Sequence, residues 1–408
     1  MKATRSFPRF TVTPKAELSL RGGHPWVYDT EITAVSGEIT NGCLADVLSE
    51  KGAYLGTGFV SEHSKIRVRL LATNANETFG EAFFARRLRY AIDYRRTVMR
   101  DDFSCCRLIF GEADGLPGLT VDRFSDVLVA QVLSYGIEIR KDMIFTELLK
   151  IMAEIGEPVR GIYERNDVAI RELEGLEQSK GWTTVCPEHP ASTVTEITEN
   201  GITYLVDFEN GQKTGYFLDQ KYNRKEVARL ARGKRVLDCF THTGSFALNA
   251  ALGGAAHVTA VDISESAVTM AKENAARNGL SDQIDVLRAD VFDYLTSLAE
   301  SREKPFDFII LDPPAFTKSR KTVLNAKNGY REINSLAMKI LPRGGYLATC
   351  SCSHFMEDSL FCKMLKEASL DCCVKLRQIE ARQQAPDHPI LWNVPETDYL
   401  KFYIFQIE

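Results

Sequence analysis

The stretch Arg235-Val236-Leu237-Asp238-Cys239-Phe240-Thr241-His242-Thr243-Gly244-Ser245-Phe246 decides the fold. Residues 235–238 read as a short apolar strand and 245–253 as a helix, so the residues between them form a strand-to-helix turn. A glycine late in that turn lets a ligand come close to backbone N–H groups. The dinucleotide signature G-x-G-x-x-G is missing, because 239–243 hold no glycine, so the turn is not a pyrophosphate cradle. Outward from it the same grammar repeats: strands at 257–262, 284–288, 306–311 and 345–350 alternate with helices at 265–279, 291–299 and 330–341. Repeated β-α-β units predict an α/β, parallel, doubly wound sheet with ligands at the carboxyl ends of its strands. A helix at 358–369 follows, and 373–378 with 399–406 read as a closing antiparallel hairpin.

Upstream the pattern differs. Residues 8–72 read as short strands at 10–13, 27–28, 44–48, 55–60 and 66–71, separated by turns such as Arg21-Gly22-Gly23-His24-Pro25. That spacing suggests a small barrel or folded sheet of about 75 residues. A helix from about 77 to 99 carries Arg86, Arg87, Arg89, Arg95 and Arg96, with Arg100 just beyond. Phe84, Leu88, Ala91, Ile92 and Tyr94 are its expected buried stripe. Its arginines read as a solvated face, with phosphate contact as the alternative. Residues 103–190 suggest a second α+β unit, with strands at 107–110, 119–123, 127–133 and 161–164 and a helix at 137–155. The proline-marked stretch 181–193 ends it. The expected domains are therefore 1–75, 76–192 and 193–408.

Four hundred and eight residues suit two or three such domains, and 44% hydrophobic with 26% charged residues excludes a disordered chain. No apolar run approaches the roughly 18 residues that a membrane span needs, and no signal peptide is apparent. Ten scattered cysteines without paired C-x-x-C knuckles argue against structural zinc and for a reducing, cytoplasmic location. The net charge of −5 is uneven: residues 1–100 hold 15 Lys and Arg against 10 Asp and Glu. A basic front allows a nucleic-acid-facing end, and uneven scatter of solvated charge is the plain alternative.

The chemistry collects at strand ends. Asp238 closes the first strand, Asp262 the second, and Asp290 follows the third in Ala289-Asp290-Val291. Asp262 can hold both hydroxyls of a ribose, and Asp290 the exocyclic amine of adenine. Each acid alone could be a helix cap. Three together, without phosphate glycines, suit S-adenosylmethionine. The fourth strand ends Asp312-Pro313-Pro314-Ala315-Phe316, where two prolines stiffen a tip that can meet a planar base. The fifth ends Thr349-Cys350-Ser351-Cys352-Ser353-His354. Cytosine C5 is not nucleophilic until a thiolate adds to C6. Cys350 and Cys352 share one pleat, so periodicity does not separate them; nearness to the strand end favours Cys352 as nucleophile, with Cys350 in the core.

On these residues the catalytic half resembles the class I S-adenosylmethionine-dependent RNA methyltransferases. The whole chain resembles the ribosomal large subunit methyltransferase I group, which methylates C5 of a cytosine in large-subunit rRNA. The matching stretches are 23–27, 66–70, 107–122, 209–220, 311–316, 349–353 and 387–389. The resemblance implies a PUA RNA-binding domain in front, an α+β linker domain, and a Rossmann-like catalytic domain. It assigns the nucleophile to Cys352 and places Gln212–Gln220 across the cofactor mouth, with Lys213, Phe217 and Asp219 near the methionine end. Phe240, Thr243, Gly244, Ile263 and Val291 complete the expected cofactor contacts, beside Asp238, Asp262, Asp290 and Asp312. Asp312 is expected to be catalytic with Cys352, binding the polar edge of the base together with the Pro313–Pro314 backbone. Pro313, Pro314, Phe316 and Lys318 are the expected contacts to the base. The expected partner is large-subunit rRNA, with a homodimer allowed for, and neither membrane nor metal is expected.

Two departures stand out. Ala315 occupies a place where another RNA cytosine-5 methyltransferase family has a second cysteine, and His354 stands where glycine is expected. Competing readings are methylation of a purine nitrogen, which the Asp312-Pro313-Pro314 tip allows, and a non-catalytic RNA-binding assembly factor. The missing glycine signature disfavours an NAD-linked oxidoreductase.

Overall fold

Seven strands build the sheet to which the turn at 239–244 belongs. In chain order they are β1 Arg235–Cys239, β2 His257–Asp262, β3 Ile284–Arg288, β4 Phe308–Leu311, β5 Tyr346–Ser351, β6 Leu376–Arg382 and β7 Lys401–Ile407. Their order in space is β3-β2-β1-β4-β5-β7-β6. The first five run parallel, and β7 lies antiparallel between β5 and β6. Val236, Leu237, Ile309, Ile310 and Leu347 are fully buried, as strands covered on both faces must be. The strand order reverses between β1 and β4, which opens a crevice at their carboxyl ends. The ends of β1, β2, β4 and β5 carry Asp238, Asp262, Asp312 and Cys352 to that edge.

The computed structural model describes residues 6–301, 303–317 and 319–408, in two compact units. The unit with the seven-stranded sheet comprises Thr198–Tyr204, Asp219–Ala385 and Asp398–Glu408. Its helix Val323–Ile340 begins seven residues before the sequence suggests. Asn325, Asn328 and Gly329 hide it, yet Gly329 has a packing reason: a Cβ there would meet the Phe316 ring at 3.3 Å. Helix Lys221–Ala231 also escaped the sequence reading, because its buried face is polar. Arg224 on that face makes a buried bidentate pair with Glu199, at 2.6 and 2.9 Å. The closing hairpin sits later than expected, after Cys373 turns the chain at φ 51°.

The other unit comprises Met1–Ile197, Leu205–Leu218 and Pro386–Thr397. It holds a six-stranded sheet in the order Trp26–Tyr28, Ile66–Ala72, Tyr54–Val60, Leu44–Ser49, Arg9–Val12, Ile32–Ser36. Phe10, Val12, Val27, Val47 and Val68 fill its core. A five-stranded sheet follows, from Cys105–Phe110 to Lys180–Trp182. The sequence missed helix Pro14–Arg21, capped by the Thr13 hydroxyl, and the largely exposed edge strand Ile32–Ser36. The helix expected at 137–155 is two, Tyr135–Glu138 and Lys141–Glu154.

The arginine-rich helix, Glu81–Met99, corrects two expectations. Tyr94 is 38% exposed and does not belong to the buried stripe, whereas Arg95 is wholly buried. Its guanidinium donates to Asp114 Oδ1 at 2.6 Å and to the carbonyls of Arg107 at 2.9 Å and Asp387 at 2.8 Å. Arg95 is thus a structural cation and does not face solvent or phosphate. Among the described residues, no helix is long and apolar enough to cross a membrane.

Candidate active site

Asp238 is fully buried at the end of β1. The Thr241 hydroxyl at 2.5 Å and the Ala247 N–H at 3.0 Å both donate to its Oδ2. Its Oδ1 is equally buried and has no hydrogen-bond partner among the described residues. Burial pushes this carboxyl up to about 7, and the negative charges of Asp312 and Asp262 add to the shift. The chain then turns through Phe240 at φ 62° and His242 at φ 50°, both in the left-handed region. Each costs roughly 1–2 kcal/mol there, so the loop is held by its surroundings. The Thr241 N–H donates to the Val261 carbonyl at 3.1 Å and the His242 N–H to Asp262 Oδ2 at 2.9 Å. Gly244, at φ 77°, ends the turn so close to Ala271 that a Cβ would sit 3.1 Å away. Beside it the buried Thr243 hydroxyl has no partner among the described residues.

Two orphaned buried polar atoms at one strand tip are a cost of about 1–3 kcal/mol each that a ligand can remove. Asp238 Oδ1 asks for a donor, and positive charge beside it would draw the carboxyl back towards its ionised form. These residues fit a cationic, donor-bearing ligand such as the expected S-adenosylmethionine.

Asp262 is half-buried at the end of β2. Its two oxygens accept from His242 and Ser264 N–H groups, at 2.9 Å each, which aims the carboxylate and leaves further lone pairs. Ile263 next to it is 63% exposed, an apolar side chain beside an acid at the crevice edge. Asp290 is a helix cap: its Oδ1 accepts from Phe292 N–H at 2.8 Å and Asp293 N–H at 3.2 Å. Val291 is buried in the sheet's core, so a ligand would meet its backbone and not its side chain.

Asp312 follows β4 and gathers a group that the sequence did not assemble. Gln220 donates to its Oδ1 at 3.2 Å, and Asn223 in turn donates to Gln220 Oε1 at 2.7 Å. Burial, with the nearby charge of Asp219, pushes Asp312 up to about 6. Asp219 is itself held by the Tyr399 hydroxyl at 2.7 Å. The Cys350 thiol also hydrogen-bonds Asp312, and burial raises it well above its ordinary value. Pro313 is buried and Pro314 exposed. Phe316 packs on Tyr330, ring centroids 4.6 Å apart.

Burial separates the two cysteines that share a pleat. Cys350 is 0% exposed, whereas Cys352 is half-buried just past the end of β5. Ser351 beside Cys352 donates to the Tyr330 hydroxyl at 3.0 Å, and burial pushes that phenol up to about 12. Ser353 on the other side donates to the Thr317 carbonyl at 3.2 Å. Lys318 lies outside the described residues. Lys213 and Phe217 belong to the other unit, where the Lys213 ammonium sits 4.5 Å from the centre of the Phe217 ring.

Gln220, Thr241 and Tyr330, which the sequence did not single out, contact the candidate residues Asp312 and Asp238 and the Ser351 next to Cys352. Gln220 closes the quoted 209–220 stretch and was findable there; Thr241 and Tyr330 act through partners that only the fold brings close.

A family profile described as S-adenosylmethionine-dependent methyltransferase matches residues 182–402, and a PUA-like domain profile matches residues 10–73. Ribosomal RNA large subunit methyltransferase I of Klebsiella pneumoniae (strain 342) is 39% identical over 403 residues, 98% of this chain and 98% of its own. The protein of that name from Aeromonas salmonicida is 42% identical over 387 residues, 94% of this chain and 96% of its own. Among solved structures, a Streptococcus mutans protein described as an S-adenosylmethionine-dependent methyltransferase superposes with a TM-score of 0.81 at 22% identity, covering 98% of this chain and 99% of its own. A second methyltransferase structure, complexed with S-adenosylhomocysteine, gives 0.82 at 23% identity with the same coverage. That likeness shows the fold, and the expected Rossmann-like sheet and PUA-like front domain stand.

Proposed function

Because the chain belongs to the ribosomal RNA large subunit methyltransferase I family of S-adenosylmethionine-dependent methyltransferases, we propose that it methylates C5 of a cytosine in large-subunit rRNA through a covalent Cys352–C6 bond. The observation that carries this reading is the half-buried Cys352 at the end of β5, beside a tip whose other cysteine is sealed against Asp312. A sealed neutral thiol cannot act as nucleophile; a thiol at the crevice edge can.

When bound, S-adenosylmethionine supplies an electrophilic methyl group. Asp238 and Thr243 would hold its cationic end, Asp262 the ribose, and Ile263 the face of the adenine. We place the target base against the Asp312-Pro313-Pro314 tip. The Cys352 thiolate adds to C6, and the displaced C5=C6 pair is shared between C5 and N3. Asp312, pushed up to about 6, retains a protonated fraction near neutrality and gives N3 a proton. Once C5 is methylated, its proton passes to solvent water, C5=C6 re-forms, the C–S bond breaks and Cys352 returns as the thiolate; the N3 proton goes back to Asp312. The basic front domain, with its PUA-like fold, would hold flanking RNA. Ten free thiols suit a reducing compartment, and we read the cytoplasm as the location.

The stiff Asp312-Pro313-Pro314 tip also suits methylation of a purine nitrogen, which needs no covalent partner. Mass mapping of modified nucleotides in rRNA from cells with and without the protein separates the two. Loss of a 5-methylcytosine is expected; loss of an N-methylated purine instead would favour the second reading.

A further inference from the structure

A lysine is sunk into β7 beside the Cys352 end of β5. Lys401 stands opposite Ser351 in the antiparallel register of the two strands and is 5% exposed. Its ammonium donates to the Ser353 carbonyl at 2.8 Å and the Tyr399 carbonyl at 3.0 Å, and among the described residues it pairs with no carboxylate. Desolvating an ammonium costs several kcal/mol, so a buried lysine ordinarily comes with an acid. Here the acceptors are neutral, and one belongs to the residue after Cys352.

We propose that Lys401 is a positioning residue for Cys352: it fixes the strand end through Ser353, and its ammonium, held by neutral carbonyls and not by a direct carboxylate pair, favours the thiolate. This rests on the reading of Cys352 as nucleophile. Among the described residues, titratable groups near one or other of the pair include Tyr330 from helix Val323–Ile340, Cys350 on β5, His354 two residues beyond Cys352, Glu357 and Asp358 at the head of helix Asp358–Asp371, and Asp398 ahead of β7. The three acids oppose a thiolate, and burial keeps Tyr330 and Cys350 neutral, while Lys401 is a cation tied by a hydrogen bond to the residue after Cys352. Burial pulls Lys401 below its ordinary value, while negative charge on Asp398, Asp358 and, after them, Cys352 holds it up. The ammonium and the thiolate therefore stabilise each other.

The test is alkylation of Cys352 by iodoacetamide in the full chain between pH 6 and 10, resolved by peptide mass. In the wild type the inflection should fall below about 8.5, the ordinary thiol value. Lys401→Met should raise it by at least one pH unit and lower kcat for rRNA at least tenfold, with unchanged S-adenosylmethionine affinity. Lys401→Arg should restore most of the inflection. A wild-type inflection at or above the ordinary value, which needs no variant to fold, would overturn the proposal. So would equal inflections in the wild type and a folded Lys401→Met. A raised inflection in Lys401→Met together with full methylation by Cys352→Ala would uphold the charge pairing while removing the nucleophile role.

Discussion

The Thr241 hydroxyl donates to Oδ2 of Asp238 at 2.5 Å and leaves Oδ1 of the same buried carboxyl without a partner among the described residues. The folded value of about 7 lies above the unfolded value of about 3.9, so the fold favours the protonated form. That contribution is fully present below about pH 4 and is lost as the pH rises through 7. Asp238→Asn keeps the shape and an acceptor for Thr241 and Ala247 without the charge. In thermal unfolding without cofactor, the variant should gain on the wild type between about pH 4 and 7, by on the order of a few kcal/mol, and hold that gain above. Parallel pH profiles would contradict the buried-acid assignment.

Asp262 answers to a different measurement. Its oxygens are already aimed by two backbone N–H groups, so Asp262→Asn should preserve much of the turn while losing one charge-assisted acceptor. Hydrogen bonds to a charged group contribute roughly 1.5–3 kcal/mol, which predicts S-adenosylmethionine binding weakened tenfold or more. Calorimetry with unchanged affinity would remove the ribose assignment.

Arg95 should matter for stability. Arg95→Met removes the cation but leaves Asp114 buried, 7% exposed, beside the vacated position. Breaking a buried pair on one side costs about 3–5 kcal/mol. A clearly lower Tm is therefore expected, and a Tm within a degree of the wild type would show that Asp114 finds another partner.

Much of the catalytic fold is local in the sequence, which is why it could be read. Strand apolarity and an acid at a strand end are short-range signals, and Asp238, Asp262 and Asp312 were legible on that ground. Asp290 was legible too, although its Oδ1 turned out to cap a helix. Charge inside the core was not legible. Arg95 is held by the carbonyl of Asp387, 292 residues along the chain, and Arg224 by Glu199 on a separate element. Lys401 likewise reads as an ordinary surface lysine until β7 is inserted beside β5. For Cys350 and Cys352 the pleat gave one answer for both, and burial distinguished them: Cys350 is fully buried and Cys352 half-buried.

Carbon methylation through Cys352 is tested most directly with rRNA carrying 5-fluorocytosine at the target. Fluorine at C5 cannot leave as a proton does, so the wild type should remain covalently bound to this RNA in a denaturing gel. Cys350→Ala should trap it as well, since Cys350 is a buried neutral thiol whose truncation costs about 1 kcal/mol of packing. Cys352→Ala should give no trapped species and no methylation, while still binding S-adenosylmethionine. Trapping by Cys352→Ala, or normal methylation of unmodified rRNA by that variant, would contradict the covalent mechanism.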